Sequence, residues 1–387
     1  MRIGFTIDKF IIGPGLPGID KVCFNLVDEL SGFEGVDVLL FQDKYKEDGE
    51  FGKFAVTRFP SGRDLPFVKA APGGEGGGGE GDGFEPPSSL KLAVKDVLKK
   101  WAIGRSGIDI LHYPTHLDRS YRLSSIPSVM TFHDLVPLIF GEMCTDRVKW
   151  ELQESLKRLS RVDHFIAVSE NTKKDMLERL DIQASDISVI YSGISSSYRR
   201  VDGKAIREKI TGGRPYILFL GTVEPRKNLK TLLAALDGLD DDVCLVVSGH
   251  RGWGYREVTE TIQRLSLGQR VLVTGYTCED DLAALYSGAE VFVYPSWYEG
   301  FGLPPLEAMA CGTAVASSTG GSLPEVLGDA ALYYDPANEA EMRHIIHRLL
   351  NDEEIKEDLV NKGFKKAHEY TWQKCAVGVM DVYRKLV

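Results

Sequence analysis

The chain of 387 residues contains few cysteines, and none of them form a CxxC pair. The six are scattered along the sequence, at Cys23, Cys144, Cys244, Cys278, Cys311 and Cys375. Zinc sites and disulfide frameworks both need cysteines at close, regular spacings. We therefore expect reduced thiols in a cytoplasmic protein, without a structural metal or a disulfide scaffold.

Long apolar runs and a basic excess are also missing. No run of 18 apolar residues occurs, and the sequence turns polar after a short β-like start. Neither a transmembrane helix nor a signal peptide is therefore expected. The formal net charge of -10 argues against general nucleic-acid binding, which usually requires a basic surface.

Short apolar runs alternate with helical patterns, and the chain is long enough for two domains. Runs of this kind are typical of parallel strands buried on both faces, so the pattern predicts an α/β fold. The series restarts near residue 215, after a polar linker around 195–203. The predicted strands are 3–7, 36–41, 108–112, 128–132 and 164–168, then 216–220, 243–247, 270–274 and 291–294.

Two glycine-rich segments have different interpretations. Residues 73–83 are so rich in glycine that they predict a mobile surface loop, within 72–87 of the first domain. Residues 13–18 read GPGLPG, which has the GxGxxG spacing of a nicotinamide-dependent dehydrogenase. The first glycine follows the strand too late for that fingerprint, and two prolines stiffen the turn. What remains is a glycine-lined loop before a helix N-terminus, which suits an anion such as a diphosphate.

Two cations, Arg226 and Lys227, follow closely on the predicted strand 216–220. They would lie in a strand-to-helix loop at the carboxyl end of the sheet, where open α/β folds bind ligands. Two positive charges there can neutralise a diphosphate and stabilise it as a leaving group. A solvated basic turn is the alternative that this loop alone leaves open.

A second strand-to-helix segment, residues 294–312, reads YPSWYEGFGLPPLEAMACG. Its glycines let backbone N–H groups approach a ligand closely. Glu299 and Glu307 form an E-x7-E pair, and ionised carboxylates accept several hydrogen bonds from sugar hydroxyls. A structural loop with one surface and one helix-capping glutamate is the alternative.

In combination these segments resemble family-four (group 1) glycosyltransferases, which have the two-domain GT-B fold. Five segments match in order and cover most of the chain: 17–19, 131–135, 167–170, 221–228 and 275–326. The resemblance implies two Rossmann-like domains facing each other across a cleft. Residues 1–198 would bind the acceptor and residues 199–370 the nucleotide sugar, with a C-terminal helix at 371–387 packing back on the first domain.

The resemblance also implies roles in the second domain. Arg226 and Lys227 match the pair that binds the diphosphate. Glu299 matches the glutamate that contacts the transferred sugar, and Glu307 the one that holds the ribose hydroxyls.

Other matching positions imply further contacts with the donor. Gly18 resembles the loop glycine against the β-phosphate, although this chain has Pro17 where a second glycine is usual. His133 resembles the histidine near the donor sugar; by itself it would read as a core histidine. The backbone of Phe301, Gly302 and Leu303 resembles the donor-binding backbone of the family.

The expected reaction is a retaining hexosyl transfer without metal or cofactor. Residues 133–135 and 221–228 resemble bacterial mannosyltransferases of polysaccharide assembly, which suggests GDP-mannose as donor and a glycan or lipid-linked acceptor. Asp240, Asp241 and Asp242 contain a DxD pattern, but they precede a strand, at the wrong edge of the sheet for the ligand. We interpret them as a solvated turn.

Residues 90–101 form a basic amphipathic pattern that would suit an anionic membrane surface. The apolar stripe comprises Leu90, Val94, Val97, Leu98 and Trp101, and lysines lie outside it. Packing of this helix on the first sheet is the alternative. Two other functions also remain open: another nucleotide-sugar enzyme, such as an epimerase or a sugar-phosphate synthase, and an inactive glycan-binding protein.

Overall fold

A computed structural model describes residues 1–7, 18–45, 51–58, 97, 100–116 and 126–387. These residues divide into two compact units. The first runs to Gly193 and includes Trp372–Val387, and the second comprises Ile194–Thr371. The division falls a few residues before the predicted boundary at 198/199, because Ile194 pairs with Thr371 within the second unit. The predicted loop at 72–87 lies outside the described residues.

The first unit is built on a seven-stranded sheet of order β3-β2-β1-β4-β5-β6-β7. Only the edge pair β2–β3 is antiparallel, and every other neighbour is parallel. Strands β1 to β7 are Arg2–Ile7, Asp37–Tyr45, Phe51–Arg58, Ile110–Tyr113, Ser128–Phe132, His164–Ala167 and Ile187–Val189. The helices are Gly18–Ser31, Val136–Ile139, Asp146–Leu156, Glu170–Arg179 and Trp372–Leu386.

Both faces of this sheet are covered, which explains the continuous apolar runs of its strands. On β5, Val129 packs with the first helix and the C-terminal helix Trp372–Leu386. Its neighbours Met130 and Phe132 pack in the core on the opposite face. Burying one such side chain contributes about 1.5–3 kcal/mol. The C-terminal helix is therefore part of the first unit, although the chain reaches it last.

The second unit contains a six-stranded parallel sheet of order β10-β9-β8-β11-β12-β13. Strands β8 to β13 are Tyr216–Leu220, Cys244–Ser248, Val271–Gly275, Val291–Tyr294, Ala314–Ser318 and Ala331–Tyr334. The helices are Lys204–Thr211, Leu229–Asp237, Tyr255–Arg264, Glu279–Ser287, Leu303–Ala310, Leu323–Leu327, Glu339–Asn351 and Glu353–Glu369. The order reverses between β8 and β11, and open α/β sheets bind ligands at such a point.

Two observations concern the DxD pattern at residues 240–242 and the expected absence of a transmembrane helix. Asp241 lies on the turn before β9 and pairs with Arg270, with 3.1 Å between Oδ1 and Nη1. Within the described residues, none of the helices combines the length and apolarity that crossing a bilayer requires.

Candidate functional site

The loop after β8 presents its two cations through a tight turn. Pro225–Lys227 form one turn of 3-10 helix, and Asn228 then adopts the left-handed conformation with φ of 56°. Asparagine tolerates this conformation better than most residues. The Asn228 side chain donates to the carbonyl of Pro336 at 2.8 Å, which fixes the start of the helix Leu229–Asp237.

Both cations meet the carboxylate of Glu299, which follows β11. Lys227 Nζ donates to Glu299 Oε1 at 2.7 Å and to Tyr294 Oη at 2.8 Å. Arg226 Nη1 lies 2.8 Å from the same Oε1, and Nη2 donates to Glu224 Oε1 at 2.7 Å. The strand order places β8 beside β11, so two distant sequence segments form one cluster. We call Glu224, Arg226, Lys227, Tyr294 and Glu299 the ion cluster.

Burial and charge compete within the ion cluster. Burial acts to raise the pKa of Glu299, but Arg226 and Lys227 outweigh it and lower that pKa to about 2. Burial lowers the pKa of Lys227 despite the opposing charge of Glu299. The two contacts of Lys227 use two of its three N–H donors, so a phosphate oxygen could accept the third.

Glu299 is held by its backbone as well as its side chain. The N–H and Oγ of Ser322 donate to the carbonyl of Glu299 at 2.9 and 3.0 Å. Gly321 pairs with Glu299 at φ of 64°, and a Cβ on Gly321 would overlap that carbonyl oxygen. The sequence did not predict this support, although Gly320-Gly321-Ser322 lies within the matched segment 275–326.

The second and third residues of the helix Leu303–Ala310 are prolines, which limits the N–H donors at its N-terminus. Helix starts leave their first N–H groups unpaired, and prolines have none. The N–H groups of Gly302 and Leu303 are thus the donors at this end, and among the described residues no side chain caps it. Gly302 has φ of 99°, and an added Cβ would lie 2.6 Å from Leu323.

Glu307 lies on the same helix and is buried. Tyr286 Oη donates to Glu307 Oε2 at 2.9 Å, and Tyr286 is itself fully buried. Tyr286 is a second tyrosine that sequence reasoning missed, because it lies in the helix before β11 and a tyrosine there has no characteristic spacing, even within the matched segment 275–326. Phe301 precedes this helix, and its ring contacts Tyr370 edge to face at 5.5 Å between centroids.

His133 lies in the first unit, directly after β5. Its Nε2 lies 2.8 Å from the carbonyl of Pro114, so this nitrogen carries the proton and donates. Burial lowers the pKa of His133 below 6.5, which keeps the ring neutral at pH 7. Nδ1 is then a hydrogen-bond acceptor. Gly18 is the first residue of the helix Gly18–Ser31, and residues 13–17 lie outside the described part.

The geometry therefore groups the predicted residues by unit. Arg226, Lys227 and Glu299 are in contact, whereas Glu307 and residues 301–303 lie on the next helix of the same unit. His133 and Gly18 belong to the first unit. Among the described residues, no group of three or more acidic, histidine or cysteine side chains could hold a metal ion.

These features define a class of protein, and comparison with known families agrees. Residues 17–198 match the model of Glycosyltransferase Family 4, and residues 204–366 match that of Glycosyl transferases group 1. The chain therefore belongs to the group 1, family-four glycosyltransferases. Two α/β units with parallel sheets are the GT-B fold of these enzymes.

The relatives with known names include mannosyltransferases. The chain is 32% identical to the O-antigen chain mannosyltransferase B of Escherichia coli over 296 residues, 74% of this chain and 77% of the relative. It is 29% identical to the serotype-specific mannosyltransferase WbdA of Escherichia coli over 325 residues. That match covers 78% of this chain but only 39% of WbdA, so the chain spans about two fifths of that relative.

Solved structures with similar folds cover nearly the whole chain. Sucrose-phosphate synthase from Thermosynechococcus elongatus superposes with a TM-score of 0.78 at 22% identity, covering 100% of this chain and 98% of that one. Anabaena HepE in complex with UDP-glucose gives a TM-score of 0.75 at 16% identity, covering 100% of both chains. These likenesses establish the fold.

Proposed function

We propose that this glycosyltransferase moves a hexose, with retention of configuration, from a nucleotide diphosphate donor to a glycan or lipid-linked acceptor. The observation that carries the proposal is the ion cluster at the carboxyl ends of β8 and β11. It combines two cations suited to a diphosphate with a carboxylate suited to sugar hydroxyls.

The donor would span the second unit. Lys227 would donate its third N–H to the diphosphate, and Arg226 would add positive charge beside it. The N–H groups of Gly302 and Leu303, next to Phe301, would donate to the same anion at a helix N-terminus. Glu307, oriented by Tyr286, would accept from the ribose hydroxyls, and Glu299 from the transferred sugar.

The first unit would supply Gly18 and His133. Gly18 starts a helix whose N-terminus suits the β-phosphate. Neutral His133 would accept a sugar hydroxyl hydrogen bond at Nδ1 and stabilise an oxocarbenium-like state with its partial negative charge.

The step we propose is a front-side displacement. The bond between the anomeric carbon and the diphosphate oxygen breaks, and the acceptor oxygen bonds to the same face of that carbon. The acceptor proton passes to the departing diphosphate. Arg226 and Lys227 stabilise the charge on the leaving group, so the chemistry requires positioning and electrostatics rather than a metal ion.

Mannose from GDP-mannose is the donor we favour. The 32% identity with the O-antigen chain mannosyltransferase B supports this choice, as does the match to WbdA. Both names also support an acceptor that belongs to a growing polysaccharide. We further propose that the protein is cytoplasmic and contacts the membrane peripherally. The peripheral contact is supported by Val97 and Trp101, whose side chains are 65% and 60% exposed. Their exposure favours a surface role for this part of the apolar stripe over packing on the sheet.

A thermal-shift panel of GDP, UDP, ADP and dTDP tests the donor assignment. A ligand that binds only the native state raises the melting temperature. We expect GDP to give the largest increase, and Lys227→Ala to reduce it. A larger shift with UDP, ADP or dTDP would assign the donor to that nucleotide instead of GDP. The absence of a shift with all four nucleotides would contradict the proposed nucleotide site.

A further inference from the structure

A buried chain of hydrogen bonds links the C-terminal helix to β5 in the first unit. Tyr383 Oη lies 2.5 Å from His112 Nδ1, and His112 Nε2 lies 2.8 Å from Thr131 Oγ1. Tyr383 and His112 are fully buried and Thr131 nearly so. The rings of Tyr383 and His112 meet edge to face, with 5.7 Å between centroids. We call these three side chains the Tyr383 chain.

The Tyr383 chain gives His112 a defined hydrogen-bonding state. Burial lowers the pKa of His112 to about 3, so its ring is neutral and has one donor and one acceptor nitrogen. If Tyr383 donates to Nδ1, then Nε2 carries the proton and donates to Thr131. The Thr131 hydroxyl proton is then directed away from the ring.

The end of this chain lies close to His133. Thr131 is the last residue but one of β5, and His133 is the first residue after that strand. His112 lies in β4 and Pro114 directly follows that strand, and the Pro114 carbonyl accepts from His133. The His112–Thr131 bond and the His133–Pro114 bond therefore join the same two segments of chain, each two residues further along.

We propose that Tyr383 is a positioning residue that acts through His112 and Thr131 to orient His133. The last helix of the chain would then set the geometry of the histidine at the reacting sugar. This inference rests on the role of His133 in the proposed function, and the tests below separate the two.

The first test compares Tyr383→Phe with Val379→Ala. Val379 lies on the same helix and in the same core but makes no hydrogen bond in the chain. We expect Tyr383→Phe to lower kcat by about 3- to 30-fold, as indirect contacts do, with the KM for the donor unchanged. Val379→Ala should lower the melting temperature at least as much without lowering kcat. Equal kcat in the two variants would overturn the proposal.

A second variant, Thr131→Val, breaks the chain at its other end. If the three side chains act as a unit, Tyr383→Phe combined with Thr131→Val should lower kcat no further than either change alone. Independent, multiplying losses would contradict a shared chain. The melting temperature of each single variant shows whether it is folded, and only folded variants enter this comparison.

A readout without turnover tests the same proposal. In ¹⁵N-histidine NMR spectra, Tyr383→Phe should shift the ring signals of both His112 and His133, whereas Val379→Ala should shift neither. Unchanged His133 signals in Tyr383→Phe would overturn the inference. If wild type transfers no sugar while His133 does shift, the proposed function fails and the positioning role stands.

Discussion

Lys227 lies where burial and charge oppose each other. Its ammonium group is buried and held by Tyr294 and Glu299, and its pKa is lowered by that burial. Burying the ammonium group removes its hydration, and this loss of free energy is costly unless a second anion offsets it. A diphosphate bound at the third N–H would provide that anion at the moment of transfer.

Replacing Lys227 with Ala should therefore cripple turnover while the protein stays folded. Removing one donor from such a preorganised site costs about 10²–10³-fold in rate. The measurement is steady-state transfer with saturating donor, alongside the melting temperature. Lys230→Ala is the matched control, because Lys230 lies one turn further on, is exposed and pairs only with Glu257 among the described side chains. Near-normal turnover in Lys227→Ala would remove Lys227 from the mechanism.

At this scale the sequence predicted the charged residues but not their supports. The position of Arg226, Lys227 and Glu299 after strands left structural alternatives open, and the family resemblance supplied their expected roles. Neither position nor resemblance predicted Tyr294, Tyr286 and Glu224, because buried tyrosines and loop glutamates are common and have no characteristic spacing. Their roles depend on β8 and β11 being neighbours, which is a property of the sheet order.

Among the larger elements, the loop that carries Glu299 depends on backbone packing. Gly321→Ala should displace it, because residue 321 is left-handed and its Cβ would overlap the Glu299 carbonyl. We expect a loss of about 1–3 kcal/mol in the free energy of unfolding and a marked fall in turnover. Urea unfolding and a transfer assay measure the two effects.

The control for Gly321→Ala is Gly268→Ala. Gly268 faces open space and has no left-handed backbone, so a Cβ there should be tolerated. If both substitutions leave stability and turnover unchanged, Glu299 is positioned by its side-chain contacts alone.

The exposed residues of the 90–101 segment predict membrane contact. Trp101→Ala should weaken co-sedimentation with anionic liposomes, because an exposed aromatic ring contributes apolar area at the interface. Trp253→Ala is the matched control, since Trp253 is 43% exposed in the other unit. Equal binding of the two variants would favour packing of this segment on the protein.

The sequence identified most strands and missed β3, β7, β12 and β13, of which β7 is only three residues long. β12 and β13 carry small, polar or aromatic residues, such as Ala314, Ser317 and Tyr333, rather than long aliphatic runs. β3 is an antiparallel edge strand, for which a buried apolar run is not expected. Three-dimensional pairing, rather than local composition, determines these elements.

On the scale of the whole molecule, buried neutral histidines should make the first unit sensitive to acid. Burial lowers the pKa of His112 to about 3 and of His116 to about 4. Below pH 6.5 the unfolded chain binds protons at these rings while the folded unit does not. The two neutral rings therefore contribute their full stabilisation above pH 6.5. Below that pH the free energy of unfolding decreases as the pH is lowered, by about 2.7 kcal/mol per pH unit where both rings are protonated only in the unfolded state.

Urea unfolding at several pH values measures this slope. Replacing Trp253 and Trp297 with Phe leaves Trp101, Trp150 and Trp372, all in the first unit, as fluorescent reporters. His116→Phe should reduce the slope by about 1.4 kcal/mol per pH unit, the share of one ring, between pH 6 and 5. His344→Gln, an exposed position in the second unit, is the control. A slope unchanged by His116→Phe would contradict a neutral buried His116.

Retaining hexosyl transfer from a nucleotide sugar can be followed directly in the configuration of the linkage that forms. GDP-α-mannose is incubated with the enzyme and a synthetic mannoside acceptor in excess EDTA, and the new linkage is followed by proton NMR from its first appearance. We expect an α-linked product formed without added metal, since Arg226 and Lys227 would supply the positive charge at the leaving group. A β-linked product would contradict the front-side mechanism and the residue roles derived from it.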